Sequence, residues 1–262
     1  MSYQHIATEN RDGAFIITLD RPEARNAINS AMWAELIDAL SSFESNDSLR
    51  VCILTNTGKV FCAGADLKEY DAKTYHAPFG REDWGFGGMT KHYCPKPIIV
   101  AANGKVFGGG AEMLLAADIA LISSDGLIGF PETSHALFPG GGGAPLRIGR
   151  SIHLKHATEL LLTGRPIDAE LALAWGLVNR AVDEEKLLDE ALDIAQAIIA
   201  NGPVAIRMTK LAIYDCMDKS FISESDGWRM MSEFDAGAKR TEDAQEGTLA
   251  FSQKRKPEWK GR

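Results

Sequence analysis

The chain has 262 residues, of which 45% are hydrophobic and 24% charged, and its formal net charge is −8 at pH 7. These values are typical of a globular protein with one large domain or a domain plus an appendage. No apolar run approaches the roughly 18 residues that span a bilayer, and the first residues do not resemble a signal peptide, so we expect a cytoplasmic protein without a membrane partner. The acidic balance disfavours a nucleic-acid partner. The four cysteines form no CxxC pair, which disfavours a disulfide framework or a zinc site.

Strands and helices are predicted to alternate in the first half of the chain. Short β-branched runs that end in Gly, Pro, Asn or Asp predict buried strands within residues 14–22, 50–58, 96–104 and 119–126. Residues 30–45 place Trp33, Leu36 and Leu40 on one helical face, after a cap at Asn29 or Ser30. This alternation indicates an α/β protein.

The character of the sequence changes along the chain. Residues 70–93 combine Gly, Pro and aromatic residues without a clear period, which is typical of a functional loop or of a surface loop with no role. After about residue 145 the apolar spacing is helical, and only "LVNRAV" at 177–182 interrupts it as a strand. We expect these helices to cap the core or to build a subunit interface. The basic end, "KRKPEWKGR", is predicted to be a solvated tail or a contact for phosphate groups.

Two carboxylates stand beside glycine-rich turns. The stretch "FGGGAEMLLAAD", 107–118, enters a helix directly after a strand and carries Glu112 in its first turn. The free amides of such a helix start can stabilise negative charge, although a glycine run also serves close packing and a glutamate there also complements the helix dipole. A second amide-rich turn lies at 63–66, and Glu132 follows Pro131 ahead of another glycine run. Together these features predict oxyanion stabilisation combined with acid–base chemistry.

Six stretches in order resemble the enoyl-CoA hydratase/isomerase (crotonase) family over almost the whole chain. They are "ITLDRPEARNAI", "FCAGADLKE", "KPIIVAANGKVFGGGAEMLLAADI", "FPET…FPGGGG", "LLLTGRPIDAELALAWGLVNRAV" and "AFSQKRKPEW". The resemblance implies an α/β fold, a spiral of repeated ββα units, with a core at 1–195 and a helical region at 196–262 for oligomerisation and completion of the CoA site. It also implies homotrimers, which in the family are often paired into hexamers.

The resemblance further implies a site for an acyl-CoA thioester. The amides of Ala65 and Gly109 match the oxyanion hole, and Glu112 and Glu132 match the two glutamates of a hydratase. No metal or redox cofactor is implied, because the CoA thioester is the substrate. The positions that match CoA or substrate contacts are Ala24, Arg25, Ala63, Asp66, Leu67 and, from a neighbouring subunit, Phe251 and Lys254.

Several alternatives stay open at this point. Ala136 stands where the family usually has glycine, and Ala144-Pro145-Leu146-Arg147 replaces the usual Thr-Gln-Arg-Leu, so the acyl group could be branched, cyclic or polar. The tail is similar to that of carnitinyl-CoA dehydratases, which run the reaction in reverse. A double-bond isomerase is the second enzymatic alternative. A non-catalytic acyl-CoA-binding or RNA-binding protein is the third. Asp118 and His135 are predicted to be structural and to line the substrate pocket, respectively.

Overall fold

The computed structural model describes residues 3–69, 81–217, 219 and 226–262. Within these ranges the strands form one six-stranded and one four-stranded sheet. The strands are β1 Ile6–Arg11, β2 Ala14–Leu19, β3 Val51–Asn56, β4 Val60–Cys62, β5 Ile98–Ala102, β6 Lys105–Phe107, β7 Ile119–Ser123, β8 Leu127–Gly129, β9 Ile167–Asp168 and β10 Arg180–Val182. The helices are α1 Ser30–Ser45, α2 Gly109–Ala116, α3 Ala144–Ser151, α4 Leu154–Thr163, α5 Ala169–Trp175, α6 Glu184–Ile199, α7 Pro203–Cys216, α8 Asp226–Lys239 and α9 Glu242–Gln253.

The two sheets are built by a repeated path of the chain. The large sheet has the order β1-β2-β3-β5-β7-β10 and the small sheet the order β4-β6-β8-β9. The consecutive pairs β3/β4, β5/β6 and β7/β8 each give one strand to the large sheet and one to the small sheet, and α2 follows the second pair. Only the pairs β1/β2 and β8/β9 are antiparallel. This arrangement is the expected α/β spiral of ββα units.

The large sheet is covered on both faces, which explains its continuous apolar strands. Along β3, Cys52 and Leu54 pack into one core cluster and Ile53 into a second cluster on the opposite face. Helix α6 closes that second cluster with Ala191 and Ala195, both fully buried. The four strands predicted from their β-branched runs are confirmed as β2, β3, β5 and β7.

Helix α1 is confirmed over residues 30–45, and its cap is Asn29. The Asn29 side-chain oxygen accepts a hydrogen bond of 2.9 Å from the Met32 N–H, so it satisfies one of the free amides of the first turn. Strand β1 was not predicted because only Ile6 among its residues is buried. The expectation of a single strand after residue 145 is wrong, because β9 pairs with β8 through two residues.

The basic end of the chain is anchored to the protein at residues 259–261, while its charged side chains are exposed to solvent, as predicted for a solvated tail. The buried Asp243 carboxylate accepts hydrogen bonds from the N–H groups of Lys260 and Gly261, at 2.7 Å for Lys260. The Trp259 indole N–H donates to the Ala200 carbonyl oxygen at 2.9 Å. Among the helices that the structure describes, none is both long and apolar enough to cross a bilayer.

Candidate active site

The predicted catalytic and oxyanion-hole residues meet where the strands of the small sheet end. Strands β4, β6 and β8 are parallel neighbours, so the segments that follow them leave the sheet at one edge. These segments are 63–66, Gly108 at the start of α2, and 130–132. A hydrogen bond of 3.0 Å from the Gly108 N–H to the Gly129 carbonyl oxygen joins the second segment to the third. The topology therefore gathers turns that are far apart in the sequence.

The turn at 63–66 lies directly against the start of α2. A Cβ atom added to Gly64, whose φ is +95°, would lie 3.2 Å from the Gly109 amide nitrogen. Gly109 is the first residue of α2, so its N–H has no intrahelical partner. Neither this N–H nor that of Ala65 donates to a protein acceptor within the described residues. The structure thus places the amides of the two predicted oxyanion-hole residues on touching turns.

Close packing explains two glycines in this turn. A Cβ atom on Gly109 would lie 2.4 Å from the Phe86 ring, and one on Gly110 would lie 2.5 Å from the Cys62 carbonyl oxygen. The glycine run was expected to supply free amides or to serve close packing. For Gly110 the structure shows close packing, because the Cys62 carbonyl fills that space. Gly108 has φ +56° and ψ −127°, a backbone conformation that glycine adopts readily.

Glu112 is buried in α2 and is held by the start of α3. Its side chain is 3% exposed. The Gly142 N–H donates to Glu112 Oε2 at 2.7 Å, and the Ala144 N–H donates to Oε1 at 3.1 Å. Burial raises the pKa of Glu112, while the amides at the start of α3 and the charge of Arg147 partly offset that rise. The carboxylate is thereby fixed in position by backbone donors.

Glu132 lies in a short 3-10 helix, Pro131–His135, that follows β8. A Cβ atom on Gly108 would lie 3.2 Å from Glu132 Oε1, so this carboxylate reaches the turn that begins α2. Its Oε2 is buried and has no hydrogen-bond partner within the described residues. Burial raises the pKa of Glu132, and the nearby charge of Glu112 raises it further. The two glutamates are therefore electrostatically coupled.

The positions predicted to contact CoA fall into two groups. Ala24 ends the 3-10 helix Pro22–Ala24, and the exposed Arg25 follows it with φ +56°. The Arg25 carbonyl oxygen accepts a hydrogen bond of 3.1 Å from the Ala63 N–H, which joins the turn at 24–25 to the turn at 63–66. Leu67 is 67% exposed beside them.

The Asp66 side chain points into the protein. It is 6% exposed and forms an ion pair of 2.6 Å with Arg21. Burial alone would raise the pKa of Asp66, but hydrogen bonds from Arg21 and from the Lys68 N–H outweigh burial and lower it. The carboxylate of Asp66 anchors the turn at 63–66 to Arg21. The contact of Asp66 with CoA stays a prediction.

The second group lies on α9. Phe251 is 88% exposed, and Lys254 ends the helix with φ +54°. No hydrogen bond or ion pair of the described residues joins either one to the turn around Arg25. Their predicted contribution to a neighbouring subunit's site therefore stays a prediction.

Comparison with known proteins shows which family the chain is part of. Residues 9–262 match the sequence profile of the enoyl-CoA hydratase/isomerase family. The chain belongs to this family. Among relatives it is 38% identical to a carnitinyl-CoA dehydratase of Proteus mirabilis over 98% of each chain. It is 35% identical to a mevalonyl-coenzyme A hydratase of Aspergillus fumigatus over 94% of this chain and 90% of that one.

Solved structures of the family have the same fold. The enoyl-CoA hydratase EchA1 of Mycobacterium marinum superposes with a TM-score of 0.90 at 36% identity, covering 98% of this chain and 99% of that one. An enoyl-CoA hydratase of Mycobacterium tuberculosis gives a TM-score of 0.88 at 36% identity over the same shares. The crotonase-like spiral predicted from the sequence is thus confirmed.

Two features of this enoyl-CoA hydratase/isomerase family member were missed by the sequence analysis. The start of α3 holds Glu112, and the glycine run just ahead of a helical pattern was the available signal for such amide donors. Phe86 packs against Gly109 from the segment 70–93, of which 70–80 lies outside the described residues. Trp84 and Phe86 are buried, so residues 84–86 do not form a free surface loop.

Asp118 and His135 were predicted to have non-catalytic roles. Asp118 accepts hydrogen bonds from the Ile98 N–H, Lys210 Nζ and the Tyr214 hydroxyl at 2.7–2.9 Å, which confirms its structural role. His135 is exposed, and its Nδ1 lies 3.0 Å from the Pro131 carbonyl oxygen.

Proposed function

We propose that the protein is an enoyl-CoA hydratase that adds water reversibly, in syn fashion, to a 2-trans-enoyl-CoA. The observation that carries the proposal is the pair of the buried Glu112 and the half-buried Glu132, two carboxylates with raised pKa values beside two free amides. Groups whose pKa values are shifted toward neutrality by burial suit acid–base catalysis. Membership in the enoyl-CoA hydratase/isomerase family supports the same chemistry.

The proposed oxyanion hole consists of the N–H groups of Ala65 and Gly109. Negative charge develops on the thioester oxygen when water attacks C3 of the enoyl group. Two preorganised donors stabilise this enolate, and each contributes about 3–4 kcal/mol in comparable sites. The contact between Gly64 and Gly109 supports the idea that both amides serve one oxygen atom.

Proton transfer is assigned to the two glutamates. The water oxygen bonds to C3 while Glu112 accepts its proton, and protonated Glu132 delivers a proton to C2. The proton on Glu112 then passes to Glu132, which restores both groups. The amides that bind both oxygens of Glu112 favour its ionised form, whereas burial and the charge of Glu112 favour the protonated form of Glu132. The buried, unpartnered Oε2 of Glu132 is suited to hydrogen-bond the reacting water.

CoA is proposed to lie along the turn at Ala24–Arg25 and the loop at Ala63–Leu67. Arg25 is exposed and offers a guanidinium for a phosphate group. Phe251 and Lys254 are proposed to complete the CoA site of a neighbouring subunit in a homotrimer or homohexamer. The reaction uses carboxylates and amides and requires no metal or redox cofactor.

A specialised acyl-CoA is the second candidate substrate, in either direction of the reaction. The relatives named for carnitinyl-CoA and mevalonyl-coenzyme A act on substrates that are not plain fatty acyl chains. Ala136 and Pro145 depart from the usual pattern close to Glu132 and to the start of α3. A double-bond isomerase, in which one carboxylate moves a proton between C2 and C4, is the enzymatic alternative.

The test is loss of absorbance of the enoyl-thioester band with crotonyl-CoA, followed by a panel of branched and polar enoyl-CoAs. We expect Glu112→Gln and Glu132→Gln each to lower kcat about 10²–10⁴-fold. The exposed Glu159→Gln on α4 is the matched control and should keep full activity. Full activity in both active-site variants would contradict the assignment. Wild type that hydrates no enoyl-CoA but moves its double bond would favour the isomerase. Acyl-CoA binding without turnover would favour a binding protein.

A further inference from the structure

A cavity lies away from the candidate active site, where the anchored tail covers the turn between α6 and α7. We call it the second cavity, to separate it from the site of the two glutamates. Its volume is about 80 Å³. Arg50, just before β3, and Lys96, just before β5, line it together with Arg207 of α7 and with Trp259 and Lys260 of the tail. None of the residues assigned to the acyl-CoA site lines this cavity.

The cavity is lined by more cations than carboxylates. Its described lining has four cationic residues and one carboxylate, the exposed Asp47. Of the four, Lys260 is paired with Glu242 at 3.5 Å, and the buried Asp243 accepts hydrogen bonds from the N–H groups of Lys260 and Gly261. Within the described part of the chain, neither Arg50, Lys96 nor Arg207 forms an ion pair. Lys96 is buried and Arg50 and Arg207 are half-buried, so three cations without an ion-pair partner are partly removed from water, which is costly.

These cations donate hydrogen bonds to backbone carbonyl oxygens, which carry no formal charge and so do not neutralise them. Arg50 donates to the Asn201 carbonyl oxygen at 3.2 Å, and Arg207 donates to that of Gly261 at 3.0 Å. Each guanidinium has five N–H donors, so most remain available. Lys96 is 5% exposed and donates to two carbonyl oxygens at the end of α1, at 2.8 and 2.9 Å. One of its three ammonium donors is left over.

The pKa values of two cations in the cluster are lowered, which also favours a bound anion. Burial lowers the pKa of Lys96 and of Arg50, and the charge of Arg207 lowers both further. Asp47 and Asp243 offset only part of this effect. A bound anion would relieve the mutual repulsion of the three cations.

The remaining walls suit an anion of compact shape. Pro203 begins α7, a helix of 14 residues, and lines the cavity. The positive end of the α7 dipole adds to the field of the guanidiniums. Trp259 supplies an apolar wall, and its N–H is already bound to the Ala200 carbonyl oxygen. Paired guanidiniums match a tetrahedral oxyanion, which can accept several bidentate hydrogen bonds.

We propose that this cavity binds a phosphate group, either as inorganic phosphate or as the phosphate ester of a small molecule, through Arg50, Lys96 and Arg207. Binding would stabilise the anchored tail, because Arg207 joins the cavity to the backbone of Gly261. The site is independent of the proposed hydratase activity.

Isothermal titration calorimetry of the full chain tests the proposal, with inorganic phosphate in one arm and adenosine 3′,5′-bisphosphate in the other at constant ionic strength. We expect saturable binding of one phosphate group per chain. Arg207→Gln and Arg50→Gln should each weaken it about tenfold or more, as loss of a charge-assisted contact requires. Arg207→Lys should recover part of the affinity, and circular dichroism establishes that each variant is folded. Arg229→Gln on the exposed surface of α8 is the control and should bind as wild type does.

A further variant separates this cavity from the acyl-CoA site. Arg25→Gln removes the guanidinium proposed to meet CoA phosphate, and binding to the second cavity should persist in it. Tighter binding of the free ion than of the bisphosphate would identify inorganic phosphate as the ligand, and the reverse order would identify a phosphate ester. Absence of saturable binding, wild-type affinity in both Arg207→Gln and Arg50→Gln, or loss of binding in Arg25→Gln alone would each overturn the proposal.

Discussion

Three carboxylates near the candidate site, two of them buried and Glu132 half-buried, have pKa values shifted in different directions. Burial raises the pKa of Glu112 and Glu132, whereas Arg21 reverses the effect of burial on Asp66 and lowers its pKa. The difference is one partner: Asp66 has a guanidinium at 2.6 Å, and the glutamates have backbone amides or no donor. The structural carboxylate therefore remains ionised, while the two glutamates are suited to exchange a proton.

Ala136 gives a residue-scale prediction for stability. It ends the 3-10 helix that carries Glu132 with φ +56° and ψ +29°, a left-handed conformation that is strained for alanine. Ala136→Gly should raise the free energy of unfolding by about 1 kcal/mol, because glycine adopts this conformation without the Cβ clash. Urea denaturation measures the change.

The matched control for Ala136 is an alanine in ordinary helical conformation. Ala34 is exposed in α1, and Ala34→Gly should lower the free energy of unfolding by about 0.5–1 kcal/mol. Opposite signs for the same chemical change would confirm the strain at Ala136. A loss of stability in both variants would contradict it.

At the scale of elements, the start of α3 is the support for Glu112. A Cβ atom on Gly142 would lie 2.6 Å from Glu112 Cβ and 2.8 Å from its Oε2, in space that the carboxylate occupies. Gly142→Ala should therefore displace Glu112 and lower kcat about 10²-fold, with little change in KM, since the CoA contacts are elsewhere. Steady-state kinetics with the best enoyl-CoA substrate measures both constants.

Gly149 provides the control within the same helix. A Cβ atom there meets nothing within 4 Å, so Gly149→Ala should keep wild-type kcat and stabilise the protein by about 0.5–1 kcal/mol. Equal kcat values for Gly142→Ala and wild type would show that α3 does not position Glu112 for catalysis.

At the scale of the whole molecule, the exposed apolar side chains bear on self-association. Leu154 and Leu162 of α4 are 68% and 70% exposed, and Phe251 of α9 is 88% exposed. Large exposed apolar side chains are typical of interfaces between subunits. We expect sedimentation velocity to give a trimer or a hexamer. Leu162→Lys should shift the mass toward the monomer if α4 lies in the interface, and the exposed polar Lys155→Gln should not.

A monomeric wild type would contradict the proposed oligomer. It would also remove Phe251 and Lys254 from the CoA site, because both are assigned to a neighbouring subunit. The division into residues 1–195 and 196–262 stays a prediction as well. Residue 195 lies inside α6, which packs on the large sheet with Ala191 and Ala195.

The sequence by itself determined the main strands, α1 with its cap, and the two amide-rich turns with their glutamates. These features depend on local patterns: β-branched runs between turn residues, apolar spacing of a helix, and glycines at a helix start. Motifs in order along the chain were also sufficient to predict the fold family. What they could not predict is which groups touch across large sequence separations.

Tertiary structure alone decided three matters. It placed the amides of Gly142 and Ala144 on Glu112, thirty residues earlier in the chain. It anchored the basic tail on Asp243, because this buried carboxylate needs hydrogen-bond donors, and composition does not reveal which groups supply them. It also brought Arg50, Lys96 and Arg207 around one cavity, since the ends of β3, β5 and α7 meet only when the sheet is assembled. Local propensity predicts elements, and the pairing of strands determines which side chains become neighbours.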